Sequence, residues 1–164
     1  MSLKARLSQR ELPTAEYPLR ISDDTEARGE LTAAQHELRL AEGREESAAK
    51  IKAAKAKVDK AQKKADSHYE TLRLRAIPSV EMEALIAKHP APKDSDDAWN
   101  VETFRPALIA ACVDGDMTEQ DWAEFLSGSP LGEVRELFSA ALRINDRSPD
   151  PGVGKDWMQI LNLL

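Results

Sequence analysis

The chain has 164 residues, of which 41% are hydrophobic and 32% are charged, and its net charge is −6. This length allows one domain, or a small domain with an extension, and the acidic balance argues against a general nucleic-acid binder. The single cysteine, Cys112, leaves no partner for a disulfide within the chain. No stretch approaches the roughly 18 apolar residues of a membrane span, so we expect a soluble protein without a membrane segment.

The first part of the chain has two regions. In the first, apolar residues do not recur at regular spacing, and the second is a long region without proline. Residues 1–22 contain Pro13 and Pro18, and we predict an N-terminal arm that is extended or only partly helical. Residues 23–76 contain two apolar seams at coiled-coil spacing. Their members are Ala27, Leu31, Ala34, Leu38 and Ala41, then Ile51, Ala54, Val58, Ala61, Ala65, His68 and Leu72.

The two seams lose their common phase near Gly43, which leaves two structures open. One is a single helix of about 53 residues, roughly 80 Å long, and the other is an antiparallel helical hairpin. Residues 23–46 hold eight acidic side chains and three arginines, whereas residues 50–64 hold seven lysines and one aspartate. Because a hairpin would place these opposite charges side by side, the charge pattern favours it slightly.

Residues 77–147 are predicted to form a small all-helical domain. Pro78 ends the preceding helix, and apolar residues then recur at helical spacing in four segments. The third begins with a capping box at Thr118 and Asp121. Residues 148–164 are expected to be a flexible C-terminal tail. The predicted fold is therefore all-α, with a coiled-coil hairpin or single long helix followed by a small helical globular domain.

The sequence contains no pattern of residues that predicts chemistry. His36, His68 and His89 stand far apart, and none has the spacing of a metal ligand. Cys112 lies in the apolar run ALIAACV, which is typical of a buried, unreactive thiol. We therefore predict a non-enzymatic binding protein without metal or cofactor. Trp157, in a glycine- and proline-containing tail, is a candidate for a partner contact or for packing back on its own domain.

A series of short motifs carries a resemblance to a known family. AIP, KHPAP, WN, AACV, DW and GKDW occur in that order within roughly residues 68–157. In this order they resemble the tail assembly chaperones of long-tailed phages and prophages of actinobacteria. The resemblance implies an all-α protein of the bacterial host cytoplasm that is absent from the mature virion. It also implies binding to the tape measure protein and recruitment of tail tube protein subunits.

The predicted contact residues combine this resemblance with the helical pattern. An exposed helical hairpin could bind a long helical chain such as the tape measure through helix packing. The residues that we expect to make such contacts are Leu31, Leu38, Ile51 and Val58 in the seams, and Trp157 in the tail.

The family also implies a second product of the same gene. Its genes commonly produce a longer protein through a −1 ribosomal frameshift, so a longer frameshifted form of this chain is an expected partner. The segment 153–155, Val-Gly-Lys, can be encoded by a slippery heptamer. A frameshift there would place Trp157 in a tail that is unique to the short product.

Two other functions remain open at the level of sequence. The chain would also suit a structural tail or head-tail connector component that remains in the virion. A DNA-associated factor could use Lys55, Lys57, Lys60 and Lys64. The lysine run has no interleaved aromatic residues and has acidic neighbours, so a solvated helix face is the favoured interpretation.

Overall fold

The computed structural model describes residues 2–146 and is 63% helical. The described residues form seven α-helices and two β-strands. In chain order they are α1 (Leu3–Ser8), β1 (Thr14–Arg20), α2 (Thr25–Gly43), α3 (Ala48–Asp66), β2 (Tyr69–Arg75), α4 (Ser79–Lys88), α5 (Val101–Cys112), α6 (Glu119–Gly128) and α7 (Leu131–Asn145). The strands pair in one antiparallel sheet, so the predicted all-α fold, a coiled-coil hairpin followed by a single small domain, is wrong.

The missed strands lie where the sequence predicted a helix and an arm. The second seam was extended to Leu72, but α3 ends at Asp66 and β2 follows. Within β2, Leu72 is half-buried and Leu74 is buried, whereas the arginines next to Leu74 are exposed. This alternation has the period of two that defines a strand with one covered face. The helical seam and the strand share Leu72, which made the two patterns difficult to separate.

Strand β1 pairs with β2 across about fifty residues of intervening chain. The Ile21 amide donates to the His68 carbonyl at one end, and the Ala76 amide donates to the Pro13 carbonyl at the other, both at 2.9 Å. Pro13 and Ile21 point their backbone polar groups toward β2. Residues of β1 at an odd number of positions from these two point theirs away from β2. Pro18 is one of them, so its missing N–H removes no hydrogen bond from the sheet.

Helices α2 and α3 pack against each other as two separate helices joined by residues 44–47. Glu45 in this turn has a φ of 51°, in the left-handed region. Ion pairs join Lys64 near the end of α3 to Glu30 near the start of α2, and Lys55 to Glu42 near the turn. This order of pairing shows that the helices run antiparallel.

The chain divides into two compact units, residues 17–72 and residues 1–16 with 73–164, the latter described for 2–16 and 73–146. In the second unit α5 packs against α4, α6 and α7. Phe104, Leu108 and Ile109 of α5 are fully buried. Pro106 is also buried inside this helix. Helix α5 is therefore the centre of the unit's core.

Local capping explains where two of these helices begin. The capping box at Thr118 and Asp121 is confirmed, since each side chain accepts a hydrogen bond from the other residue's backbone amide. Pro106 is typical of the first turn of a helix, which predicts a cap at Thr103. This prediction is wrong, because Asn100 accepts from the amides of Glu102 and Thr103 instead. An asparagine three residues earlier satisfies the same unpaired amides of the first turn, so the helix begins one turn sooner.

Asn145 joins the end of α7 to the segment that follows β2. Its side-chain oxygen accepts from the Ile77 amide at 2.9 Å, and its nitrogen donates to the Ala141 carbonyl at 2.8 Å. The same nitrogen lies 3.2 Å from the Cys112 sulfur. One half-buried amide thus satisfies polar groups from three parts of the unit.

Replacing this amide should destabilise the unit. We expect Asn145→Ala to lower the free energy of unfolding by about 1–3 kcal/mol, because the Ile77 amide loses its acceptor. Urea denaturation followed by circular dichroism measures the loss. Gln120→Ala, which truncates an exposed amide on α6, is the matched control and should change little. Equal midpoints for the two variants would contradict this role for Asn145.

Candidate interaction surfaces

The predicted contact residues of the seams lie on the faces where α2 and α3 pack together. Leu31 and Leu38 are half-buried on the α2 face that carries buried Ala27 and Ala41. Ile51 and Val58 are half-buried on the corresponding face of α3. The buried residues of that face are Ala54, Ala61 and Ala65. Part of each side chain therefore remains accessible beside an internally packed seam. Trp157 lies outside the described residues.

Most of the lysines proposed for DNA contact are paired within the chain. The Lys57 ammonium donates to Glu37 at 2.6 Å, and Lys64 donates to Glu30 at 2.7 Å. Lys55 is 3.6 Å from a carboxylate oxygen of Glu42. Hydrogen bonding to Glu30 also raises the pKa of Lys64. Each exposed pair contributes only tenths of a kcal/mol, but together they neutralise much of the lysine run.

A shallow groove, here called the α2–α3 groove, lies along one side of this helix pair near the turn. Its volume is about 350 Å³, and it is lined by Glu37, Leu40, Ala41, Arg44, Glu46, Lys50, Ala53, Ala54 and Lys57. Leu40, one of the residues that line the groove, is 42% exposed. Alanines on the opposite wall keep that wall low, so another helix could approach closely.

The rim of the α2–α3 groove contains two internal ion pairs. Lys57 pairs with Glu37 across the helices, and Lys50 lies 3.1 Å from Glu46. Arg44 also lines the groove and has no ion pair with any residue from 2 to 146. The rim therefore retains one uncompensated positive charge.

A second and larger groove, here called the arginine groove, lies in the other unit. It has a volume of about 540 Å³ and is lined by Arg10, Glu11, Leu12, Thr14, Arg73, Arg75, Ala76, Ile77, Pro78, Glu81 and Ala111. Arg75 lies 2.9 Å from a carboxylate oxygen of Asp114, and Arg73 lies 3.9 Å from the other. The Asp114 amide also donates to the Arg73 carbonyl. These contacts hold both guanidinium groups beside the Asp114 carboxylate.

Sequence reasoning missed a buried carboxylate at the start of α2. Asp24 is the N-cap residue of α2, but its side chain makes no capping hydrogen bond. Its carboxylate is only 1% exposed and accepts instead from the Tyr69 hydroxyl at 2.6 Å and from Arg20 at 3.1 Å. Arg20 is only four residues from Asp24, but Tyr69 lies 45 residues away on the other strand, so no local spacing in the sequence could have indicated that partner.

Hydrogen bonding changes the ionisation of both members of this pair. The Tyr69 hydroxyl, with Arg20, holds the pKa of Asp24 below its ordinary value. The hydrogen bond to Asp24, together with burial, raises the pKa of Tyr69. Both shifts favour an ionised carboxylate beside a neutral phenol. This arrangement stabilises the junction between β1, α2 and β2 without providing a reactive group.

In the described part of the chain, the histidine, cysteine and carboxylate side chains do not come together as a metal site. Cys112 is buried, and burial raises the pKa of its thiol while Asn145 lowers it less. His68 shares a 2.7 Å hydrogen bond with Ser22 beyond the end of α3, so its predicted position in the seam is wrong. Between residues 2 and 146, no three histidine, cysteine or carboxylate side chains are grouped to hold a metal.

Comparison with known proteins identifies no relative of this chain. No family model matches it, and neither a curated protein nor a solved structure is significantly similar to it. None of the helices in the described part of the chain is both long and apolar enough to cross a membrane. The interaction surfaces therefore have to be interpreted from their own geometry.

Proposed function

We propose that this protein is a phage tail assembly chaperone that binds the tape measure protein and helps to recruit tail tube subunits. It acts in the cytoplasm of the bacterial host and leaves before the virion is complete. A longer frameshifted form of the chain is a further partner. The tape measure contacts the paired helices α2 and α3, with the seam residues Leu31, Leu38, Ile51 and Val58 at the edges of the contact.

The order of the family-like motifs is the observation that carries this proposal. AIP lies between β2 and α4, KHPAP ends α4, and WN precedes α5. AACV ends α5 and DW lies in α6. Asn100 of WN caps α5, and Trp122 of DW is buried, with only 2% of its surface exposed. The five motifs that lie within the described residues all belong to the unit that contains α4 to α7, and their order along the chain supports the proposal.

The physical character of the α2–α3 pair also supports this function. A chain that must hold a long helical protein temporarily needs an exposed helical surface with weak, reversible contacts. The α2–α3 groove provides an accessible leucine, low alanine walls and a charged rim. Helix-in-groove binding uses this combination, because the apolar ridge of one helix fits between two others.

Co-expression with the neighbouring tape measure gene tests the proposal directly. We expect the affinity-tagged chain to retain the tape measure protein on a resin and to increase its soluble fraction. An unrelated long coiled-coil protein, expressed in the same way, is the control and should not be retained. A soluble tape measure protein that fails to associate would overturn the proposal.

Mass spectrometry of purified virions separates a chaperone from a tail component. A chaperone should be abundant in infected cells and absent from mature particles. Detection at a constant copy number per virion would instead favour a structural tail or connector protein.

A further inference from the structure

Helix α4 is the least covered of the four helices α4 to α7. All four lie in the described part of the chain, where α5, α6 and α7 each bury at least two residues and α4 buries none. Its large apolar residues Met82, Leu85 and Ile86 are only half-buried. Because a helix in a folded protein is held mainly by the packing of its apolar face, α4 has apolar surface left for a further contact.

A small groove, here called the α4–α7 groove, lies between α4 and the end of α7. Its volume is about 240 Å³, and it is lined by Ile77, Ser79, Met82, Glu83, Asn145 and Asp146. The carboxylates of Glu83 and Asp146 make no ion pair with any residue from 2 to 146. The groove therefore combines apolar side chains with carboxylates that can still accept hydrogen bonds.

The C-terminal residues of the chain begin at this groove. Asp146 lines it and is the last described residue, and residues 147–164 follow. Ten residues separate Asp146 from Trp157, among them two prolines and two glycines, which are typical of turns. A linker of this length spans at most about 35 Å. It holds the segment behind it near the groove at an effective concentration on the order of millimolar, so even a weak contact would be populated.

The last eight residues have the sequence pattern of an amphipathic helix. Trp157, Ile160, Leu161 and Leu164 are spaced by three, one and three residues, which places them on one side of a helix. Gln159 falls on the opposite side. The pattern therefore predicts one apolar face that needs a surface to cover it.

Trp157 suits the α4–α7 groove in its chemistry. A methionine sulfur, such as that of Met82, packs favourably against an aromatic ring. The indole N–H of a tryptophan usually has a hydrogen-bond acceptor when the ring is buried. The carboxylates of Glu83 and Asp146 can accept this hydrogen bond. An aliphatic side chain in the same place would have no donor to offer them.

We infer that residues 157–164 pack as a short helix against α4, with the Trp157 ring in the α4–α7 groove. Of the two roles open to Trp157 in the sequence, this is packing on its own domain. The inference does not rest on the proposed function. The chain's own end then covers this face of α4, and another protein can use the face only by displacing that segment.

Methyl NMR of the full chain with isotope-labelled methionine tests the position of Trp157. An indole ring packed on Met82 should shift its methyl resonance upfield through the ring current, and Trp157→Leu should abolish this shift. Met117, which is 39% exposed and lies outside the groove, is the internal control and should not respond. Gln159→Leu, on the opposite side of the predicted helix, should leave the Met82 resonance in place.

Hydrogen exchange measured by mass spectrometry provides a second readout. Backbone amides of α4 should exchange about tenfold faster in Trp157→Leu, which corresponds to about 1.4 kcal/mol of lost protection, whereas those of α6 should not change. Unchanged Met82 resonance and α4 exchange in Trp157→Leu would overturn the inference. A Met82 shift that appears only as protein concentration rises would also overturn it, by assigning the groove to the end of a second copy. Both results are independent of whether the tape measure is retained.

Discussion

Phe104→Ala should lower the free energy of unfolding by about 3–5 kcal/mol, among the largest effects expected for one substitution in the unit that contains α4 to α7. The Phe104 ring is completely buried. Its centroid lies 4.6 Å from that of Trp99 and 6.2 Å from that of Phe138, with an edge-to-face arrangement in the second pair. Alanine would leave a cavity that surrounding helices fill only in part, and would remove both ring contacts.

The same truncation at Phe125 is the matched control for this result. Phe125 is half-buried on α6 and contacts the ring of Trp122. Because less of its surface leaves water on folding, Phe125→Ala should cost clearly less. Chemical denaturation of both variants, followed by tryptophan fluorescence, gives the comparison. If Phe104→Ala cost no more than Phe125→Ala, α5 would not be the centre of this core.

Asp24→Asn should have the largest effect in the unit formed by residues 17–72. The substitution keeps the shape of the side chain but removes the charge that accepts from Tyr69 and pairs with Arg20. We expect the thermal unfolding midpoint of this unit to fall by several degrees near neutral pH. Asp23→Asn, at an exposed neighbouring carboxylate, should have a smaller effect.

The pH dependence of stability gives a sharper test of the same cluster. Because the pKa of Asp24 is lowered by folding, its contribution is complete above its unfolded pKa of about 3.9 and is lost as the pH falls toward the lower folded value. The pKa of Tyr69 is raised, so its contribution is lost as the pH rises through the folded value, above about 10. Tyr69→Phe should weaken both dependences. Acid and alkaline unfolding profiles identical to wild type would contradict this assignment.

The helices of residues 79–145 could be predicted because their evidence is local. In α7, the apolar residues Val134, Leu137, Ala141 and Ile144 recur at helical spacing, and all four are buried. The capping box of α6 needs only residues three apart. Such patterns depend on a few neighbouring residues, so the sequence displays them without knowledge of the fold.

The candidate interaction surfaces could be predicted only in part from such local patterns. The opposite charges of α2 and α3 indicated that the helices could lie side by side, and their ion pairs do join the two. Which lysines stay unpaired depends on the rotation of α3 against α2. The sequence suggested Lys55, Lys57, Lys60 and Lys64 for an external contact. Of these, only Lys60 makes no ion pair within residues 2–146.

The amino-acid sequence by itself determined the amphipathic helices, the apolar course of α5 and the complementary charge of residues 23–64. Only the tertiary structure decided that residues 14–20 and 69–75 are strands, because each forms hydrogen bonds to the other across α2 and α3. It also decided that the Asp24 carboxylate is buried, where side chains on both strands stabilise it. Helices satisfy their backbone within a few residues, but a strand must find a partner elsewhere in the chain.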